Sequence, residues 1–333
     1  MWAERYKLPA RQQTLTLAAM RQKLLILNLK SIGNNMKYSN NSIFVLTILM
    51  LIVGSSSYGQ KTEPKKRLIE PDQIVSSKLM GRDYQLYISL PTGYSNNDTV
   101  SYPVFYVLDG GAVASFEAMD VAHKYLDYDD EIEKVILVGI ESGTDIKTWY
   151  VNRHFDYTPS LDTAIDKKSA KVYGVPEGSV HSGGAAKFLE CLKTEIIPFV
   201  DKHYKTTNDR GITGHSYGGL FTAWCFIDAR GFFTRYGINS PSPGWNKEQF
   251  LNEAVQKFKD SKTWNVPPTK VFASAGGLEV PQILSTMVKF STYLESRKCQ
   301  NIDLTWKIFD NDTHLSVVPA MMTKTLTVLY GEK

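Results

Sequence analysis

The feature that most constrains this chain is the pentapeptide Gly214-His215-Ser216-Tyr217-Gly218, followed by Gly219. It lies between a short approach, Arg210-Gly211-Ile212-Thr213, and the apolar run from Leu220 to Phe226. Small residues two before and two after a serine let a strand turn abruptly into a helix, because a side chain at either position would meet the opposing backbone. A serine on such a turn is strained, and its hydroxyl is lifted clear of the sheet edge. The amide of the next residue, Tyr217, opens the helix and points at whatever that hydroxyl attacks. The alternative for the pentapeptide alone is a glycine-rich turn with a purely structural role, so the rest of the chain decides.

On either side of the turn the chain alternates strand and helix patterns. Tyr102 to Leu108 and Lys134 to Ile140 are continuous apolar runs of strand length, which suit parallel strands buried on both faces. Further strands are expected at Tyr236 to Ser240, Lys270 to Ser274 and Ile302 to Phe309. Helices are expected over Val113 to Tyr125, Ala185 to Tyr204, Lys247 to Phe258, Pro281 to Arg297 and Val317 to Tyr330. Before them, Asp72 to Met80 and Arg82 to Leu90 alternate apolar and polar residues, predicting antiparallel strands joined at Gly81. The fold class predicted is α/β, a mostly parallel central sheet with helices on both faces and antiparallel N-terminal strands. No repeat or linker interrupts the pattern after residue 70, so residues 71–333 are expected to form a single domain. Glu141 to Gly184 carries few strand or helix signals but holds Trp149, Arg153, His154, Phe155 and Tyr157. It reads either as a loop over the active site or as a surface excursion with its own apolar cluster.

Charge is informative only once the N-terminus is set apart. Residues 1–60 hold seven basic side chains and one acid, which leaves 31 basic against 33 acidic in the remainder. The body therefore offers no electrostatic case for nucleic acid or an anionic membrane. Within the leader, Met36-Lys37 opens a charged region, Ile43 to Val53 is apolar apart from Thr47, and Gly54 to Gln60 is small and polar. This three-part pattern predicts a secretory signal peptide over 36–59, a linker over 60–70 and a periplasmic or secreted protein. Its apolar core falls short of the ~20 residues that span a bilayer, so no stable membrane anchor is expected. Residues 1–35 then read as a non-native upstream extension. Cys191, Cys225 and Cys299 are too scattered for a disulfide framework or a zinc site and read as buried thiols.

A serine hydroxyl needs an imidazole base, and that imidazole needs a carboxylate to fix its tautomer. Beyond His215 the chain has a single histidine, His314, in the polar loop after Phe309. Alone it would read as a solvated loop residue. With the serine turn in the same chain it becomes the candidate base. The loop after the preceding strand supplies one carboxylate, Glu279, the candidate acid. Asp310 and Asp312 sit too near His314 in the same tight loop to reach the back of its ring, and loop hydrogen bonding accounts for them. Besides the Tyr217 amide, a second oxyanion donor is expected from Asp109-Gly110-Gly111, where two glycines also fit an ordinary tight turn. No metal spacing, dinucleotide fingerprint or P-loop is found, so no metal and no cofactor is expected.

Over roughly residues 75–330 the chain resembles the enterochelin-esterase-like branch of the putative esterase family, with its feruloyl esterase, S-formylglutathione hydrolase and mycolyltransferase relatives. The likeness is carried by Tyr102 to Gly110, Asn152 to Pro159, Phe199 to Tyr204, Gly214 to Gly219, Ser240-Pro241-Ser242, Gly277-Leu278-Glu279 and the His314 loop ending at Pro319. The oxyanion loop departs from it, reading Asp-Gly-Gly where many relatives have His-Gly. The resemblance implies an α/β-hydrolase fold and a serine esterase acting through Ser216, Glu279 and His314. By the same likeness Arg153 would face the acyl or siderophore side of the pocket and Trp245 would form an aromatic wall. The expected partner is a small-molecule or glycan-linked ester. An acyltransferase and a secreted binding module of the same fold are the competing readings.

Overall fold

The computed structural model describes residues 70–332 apart from 98, 112–114, 243–244, 246–251, 254, 257–266 and 298–300. The leader expected over 36–59 and the extension before it lie outside the described residues. So does most of the helix expected over 247–258.

Among the described residues eight strands form one sheet: β1 (Gln73–Ser77), β2 (Arg82–Ser89), β3 (Tyr102–Leu108), β4 (Ile136–Glu141), β5 (Thr206–His215), β6 (Arg235–Asn239), β7 (Thr269–Gly276) and β8 (Ile302–Phe309). Their order across the sheet is β1-β2-β4-β3-β5-β6-β7-β8. The β1–β2 and β2–β4 pairs are antiparallel, and every other pair is parallel. The first two strands thus extend a parallel sheet at one edge. Their hairpin turns through Gly81 at φ +69°, a backbone region that glycine enters without a Cβ penalty.

Apolar side chains cover both faces, as the continuous runs require. In β3, Val104, Tyr106 and Leu108 face one core, and Phe105 and Val107 face the other. The second core is closed by α1 (Ser115–Tyr128) and α8 (Val318–Tyr330), through Phe116, Met119, Met321, Met322 and Leu326. The first is closed by a helical stretch comprising α4 (Ala185–Cys191), a π-helical segment (Leu192–Ile196) and α5 (Ile197–His203), together with α6 (Tyr217–Asp228) and α7 (Pro281–Arg297). The edge strand β8 instead exposes Asp303, Thr305 and Lys307 in alternation.

The largest departure from expectation is the span 141–184, half of which is helical. It holds α2 (Ile146–Asp156) and α3 (Thr163–Tyr173). Each helix begins at an aspartate whose carboxylate accepts two backbone N–H groups of the first turn: Asp145 from Lys147 and Thr148, Asp162 from Ala164 and Ile165. Side-chain capping of this kind satisfies donors that a helix start leaves without partners. The face that α2 buries is Trp149, Arg153, His154 and Asp156. Three of these four are polar or charged, so no apolar period marks the helix in the sequence.

Candidate active site

At the carboxyl end of β5 the chain reverses through Ser216, whose φ of 61° and ψ of −116° put a non-glycine residue in a strained region. Glycine is a steric necessity at 214 and 219 but, against expectation, not at 218, where a Cβ would meet only ordinary contacts, 3.4 Å from Asp109 Oδ2; it is the Gly218 backbone that presses on Gly214. A Cβ on Gly214 would lie 2.5 Å from the carbonyl carbon of Gly218, and one on Gly219 would lie 2.3 Å from the carbonyl oxygen of Asn239. The strained turn is held from both sides. The Ser216 N–H donates to Asn239 O at 3.1 Å, and Ser216 O accepts from the Ser242 N–H at 3.1 Å. Tyr217 is the first residue of α6, so its amide is among the donors that the helix itself does not satisfy.

The neighbouring parallel strands β7 and β8 each end in a loop at the same sheet edge, and the two loops are laced together. Gly277 N–H donates to Phe309 O at 2.8 Å, and Leu278 N–H donates to Asp312 O at 2.9 Å. A Cβ on Gly276 would stand 2.5 Å from Asp312 O, which fixes glycine at the start of the acid loop. This lacing brings Glu279 under His314. The imidazole Nδ1–H donates to Glu279 Oε2 at 2.8 Å, with the carboxylate side chain fully buried and the histidine side chain 23% exposed. The other carboxylate oxygen, Oε1, accepts from Gly276 N–H at 2.7 Å and from the Ser240 hydroxyl at 2.5 Å. Among the described residues Nε2 of His314 makes no hydrogen bond, so one ring nitrogen is committed and the other is available. The ring stacks on His215, the residue before Ser216, with centroids 4.3 Å apart. Asp312 accepts from the Ser316 hydroxyl at 2.7 Å, a bond within the loop as expected for it.

His215 is buried, and its pKa is held well below 6.5 by burial first, with His314 and Arg153 pushing the same way. Beside it in the sheet, Asn239 at the end of β6 is held by three buried hydroxyls. Its Oδ1 accepts from Ser274 at 2.8 Å and Thr325 at 3.2 Å, and its Nδ2 donates to Thr213 at 3.0 Å.

The 110–111 loop does not meet its expectation. Gly110 N–H donates to Ile140 O at 3.0 Å, prolonging the β3–β4 ladder, and Gly111 N–H donates to Glu141 Oε2 at 3.0 Å. Neither amide stands free for an oxyanion in this structure. Close packing accounts for both glycines, since a Cβ would lie 2.8 Å from the Gly139 carbonyl carbon at one and 2.3 Å from the Tyr87 hydroxyl at the other.

Arg153 is buried and committed to Asp109, its Nε at 2.9 Å from Oδ1 and its Nη2 at 2.8 Å from Oδ2, while Trp149 Nε1–H donates to the same carboxylate at 3.0 Å. Burial alone would lower the Arg153 pKa, but the Asp109 charge and hydrogen bonds outweigh it and raise it above the ordinary value. The guanidinium lies 5.3 Å from the Tyr217 ring centroid, so it supports the residue after the serine from below. Trp245 is buried edge-on to Tyr217 at 6.0 Å, and its Nε1–H donates to Ser160 Oγ at 3.2 Å. The span 141–184 thus has an aromatic cluster of its own, with Tyr150 stacked on Tyr173 at 4.7 Å, and also touches the elbow through His154, edge-on to Tyr217 at 5.6 Å. Sequence reasoning did not single out Asp109, Asn239 or Ser240 as site residues. Ser240 lay inside a segment that carried the family likeness, and Asp109 immediately precedes Gly110.

Among the described residues no group of three or more His, Cys, Asp or Glu side chains could hold a metal, and no helix is long and apolar enough to cross a membrane.

Residues 77–277 match the family model described as putative esterase. The ferri-bacillibactin esterase BesA of Bacillus subtilis is 28% identical over 262 residues, covering 76% of this chain and 87% of that protein. The apo-salmochelin esterase of Escherichia coli is 26% identical over 255 residues, 75% of this chain and 76% of that one. Among solved structures, the BES protein of Bacillus cereus superposes with a TM-score of 0.67 at 25% identity, covering 83% of this chain and all of that one. The siderophore hydrolase EstA of Aspergillus nidulans does so at 0.62 and 20% identity, a likeness of fold.

Proposed function

The chain belongs to the putative esterase family and is an ester hydrolase, and on that premise we propose that Ser216, His314 and Glu279 form its catalytic triad and that its substrate is a siderophore ester. The reading rests on one observation above the others. The single histidine downstream of the elbow has its Nδ1 on a buried carboxylate and its ring against the residue preceding Ser216. Glu279 holds the tautomer that leaves Nε2 unprotonated, so His314 takes the Ser216 proton as the hydroxyl oxygen attacks the ester carbonyl. The Tyr217 amide, at the head of α6, stabilises the oxyanion. The alcohol departs with the proton from His314, and water repeats the cycle on the acyl-enzyme.

The siderophore assignment is supported by the relatives described above, a ferri-bacillibactin esterase and an apo-salmochelin esterase. We further propose export beyond the inner membrane, directed by residues 36–59. Ser216→Ala tests the triad: turnover of p-nitrophenyl butyrate and of enterobactin should fall by roughly 10⁴-fold or more with the fold retained. A variant that still turns over like the parent removes the proposal. Cleavage of methyl ferulate or acetylated xylan in preference to enterobactin would overturn the substrate class while leaving the triad intact.

A further inference from the structure

The residue between β6 and its following loop stands in the left-handed region without being glycine, since Ser240 has a φ of 41°. It is fully buried. Its N–H donates to Ser274 O at 2.7 Å, which anchors the backbone to β7, and its hydroxyl is aimed at Glu279 Oε1. Glu279 therefore receives three donors: Ser240 Oγ at 2.5 Å, Gly276 N at 2.7 Å and His314 Nδ1 at 2.8 Å. Two of them meet on Oε1 and leave Oε2 to the imidazole. A buried carboxylate restrained on one oxygen cannot rotate away from the histidine on the other, and charge-assisted bonds of this kind are the strong ones.

The same short segment also holds the nucleophile. Asn239 O and the Ser242 N–H bind the two backbone polar groups of Ser216, and Asn239 is itself locked by the Thr213, Ser274 and Thr325 hydroxyls. Residues 239–242 thus touch the serine turn with their backbone and the acid with one side chain. The strain at residue 240 is what lets a single strand end face both ways.

We propose that Ser240 is a positioning residue for the reaction, orienting Glu279 toward His314 through its hydroxyl, and that the segment 239–242 sets the nucleophile and the acid in register with each other. This rests on the triad reading above.

The test is a double-mutant cycle of Ser240→Ala with Glu279→Gln, with p-nitrophenyl butyrate as probe. Ser240→Ala should lower kcat about ten-fold, the effect of one hydrogen bond to a charged group, with KM unchanged to within about two-fold. Added to Glu279→Gln, where the charge is gone, the same substitution should change kcat by less than about two-fold. A Ser240→Ala enzyme that matches the parent overturns the inference, and so does an effect that multiplies in full on the Glu279→Gln background. If Ser240→Ala does not fold cooperatively, Ser240→Gly, which removes the hydroxyl and the φ strain together, is judged by the same criteria. Retained turnover in Ser216→Ala would instead sink the triad itself, whatever Ser240 does.

Discussion

Among the described residues two histidine–carboxylate pairs touch elbow residues, and they differ in what the ring has left to offer. His314 gives Nδ1 to Glu279 and retains partial exposure, with no bond from Nε2 to any described residue. His154, in α2, has both nitrogens occupied. Nε2–H donates to Asp166 Oδ1 at 3.0 Å, Nδ1 lies 3.2 Å from the Tyr173 hydroxyl, and the side chain is fully buried. Burial, countered by Asp166, keeps His154 below its ordinary pKa, so a neutral ring bridges α2 to α3. A histidine paired with an acid is thus not yet a base. A ring with both nitrogens bonded inside the protein acts as a cross-link, whereas one with a nitrogen left over can accept a proton.

The strongest way to break this contrast is to remove the two rings in turn. His314→Gln should cost roughly 10⁴-fold in kcat/KM with the fold retained. His154→Ala should leave turnover per folded molecule within about ten-fold while lowering stability by about 2–3 kcal/mol, because Asp166 loses its buried partner. Steady-state kinetics and urea unfolding on the same preparations check both, and similar kinetic losses for the two variants would erase the distinction.

The carboxylates sharpen it at a smaller scale. Glu279→Gln should lower kcat by about 10³-fold or more by favouring the wrong tautomer of His314. Asp166→Asn should keep the activity and lose about 1–2 kcal/mol of stability. An Asp166→Asn enzyme as slow as Glu279→Gln would show that the His154–Asp166 pair takes part in the reaction.

The smallest effect concerns His215, which lies between the two regions. In the unfolded chain its imidazole titrates near 6.5, while the native environment holds it well below that value. Its contribution to stability is therefore complete above about pH 6.5 and is lost as the pH falls toward the native value, at up to ~1.4 kcal/mol per pH unit. His215→Gln should flatten the decline between about pH 6.5 and 5 in urea unfolding. An unchanged slope would mean that other groups carry the acid sensitivity.

Most of the sheet was legible because burial on both faces leaves a mark in composition: β3 and the helix Pro281–Arg297 have the bounds that their apolar runs predict. The span 141–184 was not legible as helix, because α2 buries Arg153, His154 and Asp156 where an amphipathic helix would bury leucines. Its start signals, Asp145 and Asp162, were present in the sequence but had no apolar stripe to announce. Likewise the glycines at 110 and 111 looked like amide donors, and only their neighbours, Ile140 O and Glu141, reveal where those amides go.

By itself the sequence determined the elbow and the two loops in which an acid and a base could lie, because the steric demand met by glycine at 214 and 219 and the lengths of apolar runs are marked locally in the chain. Tertiary structure alone decided which of the two acid-paired histidines leaves a ring nitrogen without a partner among the described residues, which amides are spent, and that Ser240 reaches Glu279. Those outcomes depend on the side-by-side register of β5, β6 and β7, and on the lacing of the loops after β7 and β8. Residues distant in the chain meet there, and a hydrogen bond is set by distance and angle in space.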